Sequence, residues 1–290
     1  MKIIDCFTFF NELDLLEFRL KLLSPHVSHF VIAESNLTHA GNPKPFHFEA
    51  NKERFAPWMP QITYIPLQQS TDGLVFNKNE TSYNPKSASW KLENEQRNAL
   101  SAANAFAADD DLVIISDLDE IPDPAVVNKI GSSTGPVALS MLFHYYFFNC
   151  QNTGHERWWN GSVVATGKQF KAATPQHLRD QRNDLPRIKK GGWHFSYLGG
   201  IEKIREKIRS FAHTEFNKEE YLSDDNILKA ITRGEDIFKR EGVSFRFVSP
   251  WYYPDWLRRN MMEYPAFLHR SPGDDGLLLK WQHAIRRVFS

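Results

Sequence analysis

The chain has little cysteine, no excess of either charge and no long apolar run, and each lack removes a class of function. Of 290 residues only Cys6 and Cys150 are cysteine, too few for a disulfide framework or a thiolate zinc site. Thirty-five Lys and Arg balance thirty-five Asp and Glu. No global field therefore draws the chain to nucleic acid or to anionic lipid. No apolar stretch approaches the roughly 20 residues that a membrane span requires. Met1-Lys2-Ile3-Ile4-Asp5 already reads as the start of a strand rather than a leader, so the expected location is cytoplasmic. The sequons opened by Asn36, Asn79 and Asn160 carry little weight without secretion. No internal repeat or linker composition divides the chain.

Aromatic residues, by contrast, make up 13% of the sequence. They cluster at His144-Tyr145-Tyr146-Phe147-Phe148, Trp158-Trp159 and Trp251-Tyr252-Tyr253-Pro254-Asp255-Trp256. Most such rings go to the core, but rings with a polar handle also suit the walls of a sugar site.

Apolar periodicity supplies the elements. Residues 2–10 read as a buried strand. Leu13, Leu16, Leu20 and Leu23 trace a helix with its cap in Asn11–Asp14, and residues 29–34 form a second strand ending at Glu34. Together they make a βαβ unit. Ile62–Pro66 is a third strand, and Trp90–Ala108 a helix that carries Arg97. Leu112-Val113-Ile114-Ile115 is a fully buried strand that runs into Asp117-Leu118-Asp119-Glu120 and stops at Pro122. Asp123 and Pro124 then supply the N-cap and first position of a helix. An apolar stretch fills 137–148, and His194 lies in an aromatic strand bracketed by glycine pairs. The pattern is α/β: a Rossmann-like, mostly parallel central sheet flanked by helices. Residues 1–240 are expected to form that domain, and 241–290 a helical C-terminal extension packed on it.

Ligands of open α/β sheets bind at the carboxyl ends of the strands, where Asp117, Asp119 and Glu120 fall. Three carboxylates within four residues repel one another unless a cation sits between them. Hard oxygen ligands suit Mg²⁺ or Mn²⁺, and these in turn suit a diphosphate. His194, flanked by Trp193 and Phe195, is by default a core histidine, yet the neighbouring glycines argue for a metal or diphosphate contact. The series Lys203, Arg205, Lys207 and Arg209, broken by Glu202 and Glu206, reads as a solvated helix face.

Three motifs sharpen this. Ala33-Glu34-Ser35-Asn36-Leu37-Thr38-His39-Ala40-Gly41-Asn42-Pro43-Lys44-Pro45, Ser116-Asp117-Leu118-Asp119-Glu120-Ile121-Pro122 and Gly192-Trp193-His194-Phe195-Ser196 together resemble glycosyltransferase family 17, over roughly residues 2 to 240. The resemblance implies a GT-A-like fold and an inverting, metal-dependent hexosyltransferase. Its donor would be UDP-N-acetylglucosamine and its acceptor a glycan hydroxyl. It also implies Mn²⁺ or Mg²⁺ on the diphosphate, with Asp119 as first ligand, Asp117 as ligand or ribose contact, and His194 completing the shell. Glu34, Lys44 and Arg97 are then candidate donor contacts beside Asp117. In this class the base lies between the Asp-x-Asp strand and the late histidine, which leaves Glu156, Asp180 and Asp184. Glu156, beside Trp158-Trp159, is the first choice, with Glu215 and Asp236 in reserve.

Two other functions compete. A Mg²⁺-dependent phosphohydrolase or phosphotransferase could form an aspartyl phosphate on this motif. Such enzymes place it on the first strand, whereas here three strands precede it. A non-catalytic carbohydrate-binding protein would account for the aromatics but not for the acids.

Overall fold

Ile3, Ile4, Cys6, Phe7 and Phe9 leave no polar face to offer water, so Ile3–Phe9 forms strand β1 deep inside the sheet. A computed structural model describes residues 1–77, 81–131, 134–155 and 157–269. The other strands are β2 (His29–Ser35), β3 (Ile62–Leu67), β4 (Leu112–Asp117), β5 (Glu120–Pro122), β6 (Val137–Tyr145), β7 (Cys150–Asn152), β8 (Trp158–Thr166), β9 (Arg187–Ser196) and β10 (Phe245–Phe247). They lie in the order β10-β7-β6-β8-β4-β1-β2-β3, with β9 pairing both β6 and β5.

The α/β class holds, and the parallel arrangement holds across β3-β2-β1-β4. Beyond β4 antiparallel pairs join the sheet, although β9 runs parallel to β6. β8 runs antiparallel to β4 and β6, and β7 and β10 continue antiparallel. The reason lies in the connections: short links join β6, β7 and β8, whereas parallel neighbours need a crossover of a dozen residues or more.

Helix Leu13–Leu23 makes the first crossover and buries Leu15, Leu16, Phe18, Leu20 and Leu23. Glu12 stands at its N-cap without making a capping bond, so the cap read into Asn11–Asp14 is not formed by that side chain. The helix expected over 90–108 is α-helical only over Ala88–Asn98, then tightens to a 3₁₀ stretch over Ala99–Ala105. Asp123 caps as expected, accepting from the Ala125 N–H at 2.9 Å.

A boundary at residue 240 has no counterpart in the fold. β10 is a strand of the main sheet, and Tyr253, Leu257 and Met261 sit in the same core cluster as Phe18 and Phe148. The Tyr253 hydroxyl donates to the Phe148 carbonyl at 2.9 Å. Residues 270–290 of the expected extension lie outside the described residues. Cys6 and Cys150 are both buried free thiols. Among the described residues no helix is long and apolar enough to cross a membrane.

One corner of the fold positions the site. After β4 ends at Asp117 the chain turns through Leu118-Asp119 and enters β5, which pairs antiparallel with β9. Glu120 faces His194 in that register, and the Phe195 N–H donates to the Asp119 carbonyl at 2.8 Å. Gly192 permits this approach: its φ is +148°, and a Cβ there would collide with the Ile121 carbonyl.

Candidate active site

The Asp117–Glu120 turn is held from below by Arg19, which is fully buried. Its Nη1 donates to the carbonyls of Asp117, Leu118 and Glu120 at 2.9, 3.0 and 2.8 Å. Its Nη2 and Nε pair with Asp5 at 2.6 and 2.9 Å, and Nη2 also reaches Ser116 Oγ at 2.7 Å. Chain turns of this kind expose carbonyls that must find donors, and one guanidinium supplies three of them.

Above the turn the three acids meet protein cations. Asp117 Oδ1 accepts from Arg97 Nη2 at 2.9 Å and from Thr8 Oγ1 at 3.1 Å, and Oδ2 accepts from Arg179 Nη2 at 2.7 Å. Glu120 is fully buried and takes both forks of Arg179 at 2.6 Å, with Trp159 Nε1 donating at 2.6 Å. Gly161 leaves room for that tryptophan bond, since a Cβ would strike both Glu120 Oε1 and Trp159 Nε1. Asp119 Oδ2 accepts from Lys207 Nζ at 2.8 Å and lies 3.5 Å from His194 Nε2.

Burial alone would raise the Asp117 carboxyl. The Arg179 and Arg97 guanidiniums override it and hold the group well below the usual carboxylate range. Burial likewise acts to raise Asp119, but Lys207 and His194 keep it well below that range. The repulsion anticipated among these acids is therefore relieved by Arg97, Arg179 and Lys207.

His194 is buried and packs against Trp159, at 4.6 Å and 18°, and Phe143, at 5.3 Å and 15°. Its Nδ1 has no hydrogen-bond partner among the described residues. Packing against these two rings, rather than a second hydrogen bond, sets the ring plane and brings Nε2 to Asp119.

Of these groups Asp117, Asp119, Arg97, Arg179, Trp159, His194 and Lys207 line one cleft of about 710 Å³. Asp117, Asp119, His194 and Arg97 converge there, although Asp117 has its oxygens engaged by Arg97, Arg179 and Thr8 rather than turned bare towards a metal. Glu34 and Lys44, expected as donor contacts, do not line it. Glu34 is fully buried and accepts from Lys44 Nζ, the His47 and Phe48 N–H groups and the Tyr64 hydroxyl, at 2.6–3.0 Å. It caps the short helix His47–Ala50, and its oxygens have no capacity left for a nucleotide. Lys44 is consumed by the same pair, and burial lowers its ammonium from the ordinary range.

Glu156, the expected base, lies outside the described residues. Asp180 and Glu215 line the cleft; Asp184 and Asp236 do not. Lys207 corrects the reading of its helix as a solvated face: residues Gly200–Ser210 turn one side into the cleft. Of the aromatic clusters, Tyr145 and Trp159 reach the cleft, Tyr146 and Phe148 are core, and Trp251 and Tyr252 are exposed elsewhere. Arg19 and Arg179 carried no candidate role in the sequence. Arg179 lay in a conspicuous charged run, His177–Lys190, but its partners are 59 and 62 positions away.

Does this wall fit a divalent ion? Among the described residues no group of three or more His, Cys, Asp or Glu side chains converges as a metal cage. Asp119 and His194 do offer one carboxylate and one imidazole nitrogen side by side. Mg²⁺ in particular is usually bound by one or two carboxylates plus substrate phosphates and water. The pair fits an ion carried in with a diphosphate, once Lys207 yields its place on Asp119.

The sequence matches the family model described as Glycosyltransferase family 17 over residues 1–268. The chain belongs to glycosyltransferase family 17. That family is described as one of glycosyltransferases, which favours a transferase over the phosphohydrolase and the non-catalytic sugar binder. No curated protein matches the chain. Among solved structures, the apo form of the glycosyltransferase GlyE of Streptococcus pneumoniae TIGR4 aligns at 9% identity and TM-score 0.31, over 64% of this chain and 44% of that one. A second GlyE structure aligns at 12% and 0.32, over 98% of this chain and 63% of that one. The family 17 chain thus spans less than two thirds of either GlyE chain. The inositol-1-phosphate CTP transferase from T. maritima aligns at 9% and 0.33, over 73% and 95%.

Proposed function

We propose that this family 17 glycosyltransferase moves N-acetylglucosamine from UDP-N-acetylglucosamine to a glycan hydroxyl, with inversion, in the manner of the GT-A class. Mn²⁺ or Mg²⁺ would ride on the donor diphosphate, held by Asp119 and His194. The observation that carries the reading is the meeting of these two residues, distant in sequence, on a cleft that also receives Lys207 and Arg182. A bound ion would neutralise charge on the departing diphosphate.

The chain's own groups supply the rest. Arg182 is pressed by burial and by Arg179 and Arg97, which lower its guanidinium from the ordinary range. Its hydrogen bond goes to the Arg179 carbonyl, and no ion pair ties it to a carboxylate among the described residues. It is therefore the cleft cation with charge to spare for a phosphate. Asp117 orients Arg97 and Arg179 at the cleft wall. Trp159, Tyr145 and Tyr197 present rings against which sugars pack and water is excluded.

Lys207 favours a second reading, in which its ammonium, 2.8 Å from Asp119, does the neutralising without an ion. Thermal shift and donor turnover with UDP-N-acetylglucosamine, with Mn²⁺ and with EDTA, decide between them. A ligand present at 100 Kd adds ~2.7 kcal/mol of stability. Metal dependence predicts that this gain requires Mn²⁺ and vanishes in Asp119→Ala. Full turnover in EDTA would transfer the role to Lys207, and no shift with any UDP-sugar would sink both readings.

A further inference from the structure

The transfer proposed above needs a group to take the acceptor's proton, and the following assignment rests on that transfer. The carboxylates of the cleft are largely committed. Asp117 and Asp119 are held by arginines and a lysine, and Glu93 pairs with Arg97 at 2.8 Å. Three histidines line the cleft among the described residues. His39 has both ring nitrogens engaged, Nε2 with Gln96 at 2.8 Å and Nδ1 with Glu93 at 3.5 Å. His194 is buried against two rings beside Asp119.

His213 differs from both. Its Nδ1 lies 2.7 Å from Glu215 Oε1, while its side chain remains 40% exposed. The ring is fixed by Trp90, edge-on at 5.0 Å, and by Tyr83 and Phe216, each at 5.9 Å. With Nδ1 donating to Glu215, Nε2 is the bare acceptor, and it makes no hydrogen bond among the described residues. Nitrogen, orienting carboxylate and aromatic collar reproduce the logic of a base held in one tautomer by a third group. Burial acts to raise the Glu215 carboxyl, and the bond from His213 overrides it and holds the group below its ordinary range. Glu215 thus offers a charged partner to an imidazolium.

We propose that His213 is the catalytic base of the transfer, with Glu215 as its positioning residue, in a pocket of Tyr83, Trp90 and Phe216 that receives the acceptor sugar. His213 Nε2 takes the hydroxyl proton as the acceptor oxygen bonds to the anomeric carbon. The bond from that carbon to the diphosphate oxygen breaks, and its electron pair leaves on the diphosphate beside Lys207 and Arg182. The imidazolium then returns its proton to solvent. His213 follows within a few residues of the helix carrying Lys207, so leaving group and base are served by one continuous segment.

The test uses the full chain with UDP-N-acetylglucosamine and Mn²⁺, reading donor hydrolysis with water as acceptor, donor affinity by calorimetry, and rescue by added imidazole. His213→Asn keeps a donor for Glu215 but lacks the basic nitrogen, and His213→Ala opens space for imidazole. Both should lose about 10²–10⁴-fold in turnover, the usual worth of a positioned base, with donor affinity unchanged. Imidazole should restore part of the rate in His213→Ala. Glu215→Gln should lose less. Wild-type turnover in His213→Asn overturns the assignment, as does a loss confined to donor affinity. An equal, imidazole-insensitive loss in both variants makes the residue structural and overturns it too. A wild-type protein that binds and cleaves no UDP-sugar instead removes the transfer reading itself.

Discussion

Beneath the Asp117–Glu120 turn and above it, the chain uses buried arginine for different ends. Arg19 spends most of its donors on backbone carbonyls and on Asp5, which faces no ligand. Arg179 spends its donors mainly on the Asp117 and Glu120 carboxylates, and Asp117 opens onto the cleft. The lower network fixes where the turn lies; the upper one fixes which way its charges point. A bond to a carbonyl is indifferent to side-chain identity, so the floor constrains shape while the cleft face constrains chemistry.

The comparison breaks first on stability. Arg19→Met should leave the Asp5 carboxylate buried and unpaired and three carbonyls without donors, at a cost of about 3–5 kcal/mol. Urea denaturation measures it, and a loss below ~1 kcal/mol would mean that the floor is not what holds the turn. Arg179→Lys sharpens the other side, since it keeps the charge but not the fork that serves two carboxylates. Turnover should fall by roughly 10–100-fold, the scale on which partners that orient site ligands act. Its stability loss should be smaller than that of Arg19→Met; the reverse order would merge the two networks into one.

The finest distinction is in pH. Asp117 is held below the usual carboxylate range, so it binds its proton less tightly folded than unfolded. Its contribution is complete above the unfolded value of ~3.9 and is lost as pH falls below that towards the folded one. Asp117→Asn should therefore show a smaller drop in unfolding free energy between neutral and strongly acidic solution than the wild type. An equal drop would show that Asp117 is not differentially charged on folding.

Much of the scaffold was legible because its signals are local. The apolar runs of β1 and β4, the helix of Leu13–Leu23 and the Asp123 cap each lie within a few residues of their cause. The meeting of Asp119 with His194 was legible only through three motifs taken together, since neither residue's neighbours name its partner. Arg19, Arg179 and Lys207 were not legible. Their hydrogen-bonded partners are 14 to 101 positions away, and a basic helix with interspersed glutamates looks solvated whichever side it buries. Glu34 misled for a related reason. A strand-end acid faces a ligand or caps the next element, and only the packing of His47–Ala50 selects between them.

The two thiols carry a practical consequence. Burial pushes both Cys6 and Cys150 above the ordinary thiol range, so neither presents thiolate to an oxidant or an alkylating reagent while the fold stands. The native protein is, for thiol chemistry, a blank. A single cysteine introduced at Tyr83, more than half exposed at the cleft mouth, would take a fluorophore alone and report what enters. Conversely, reaction of Cys6 with an external reagent would time the opening of the central sheet itself.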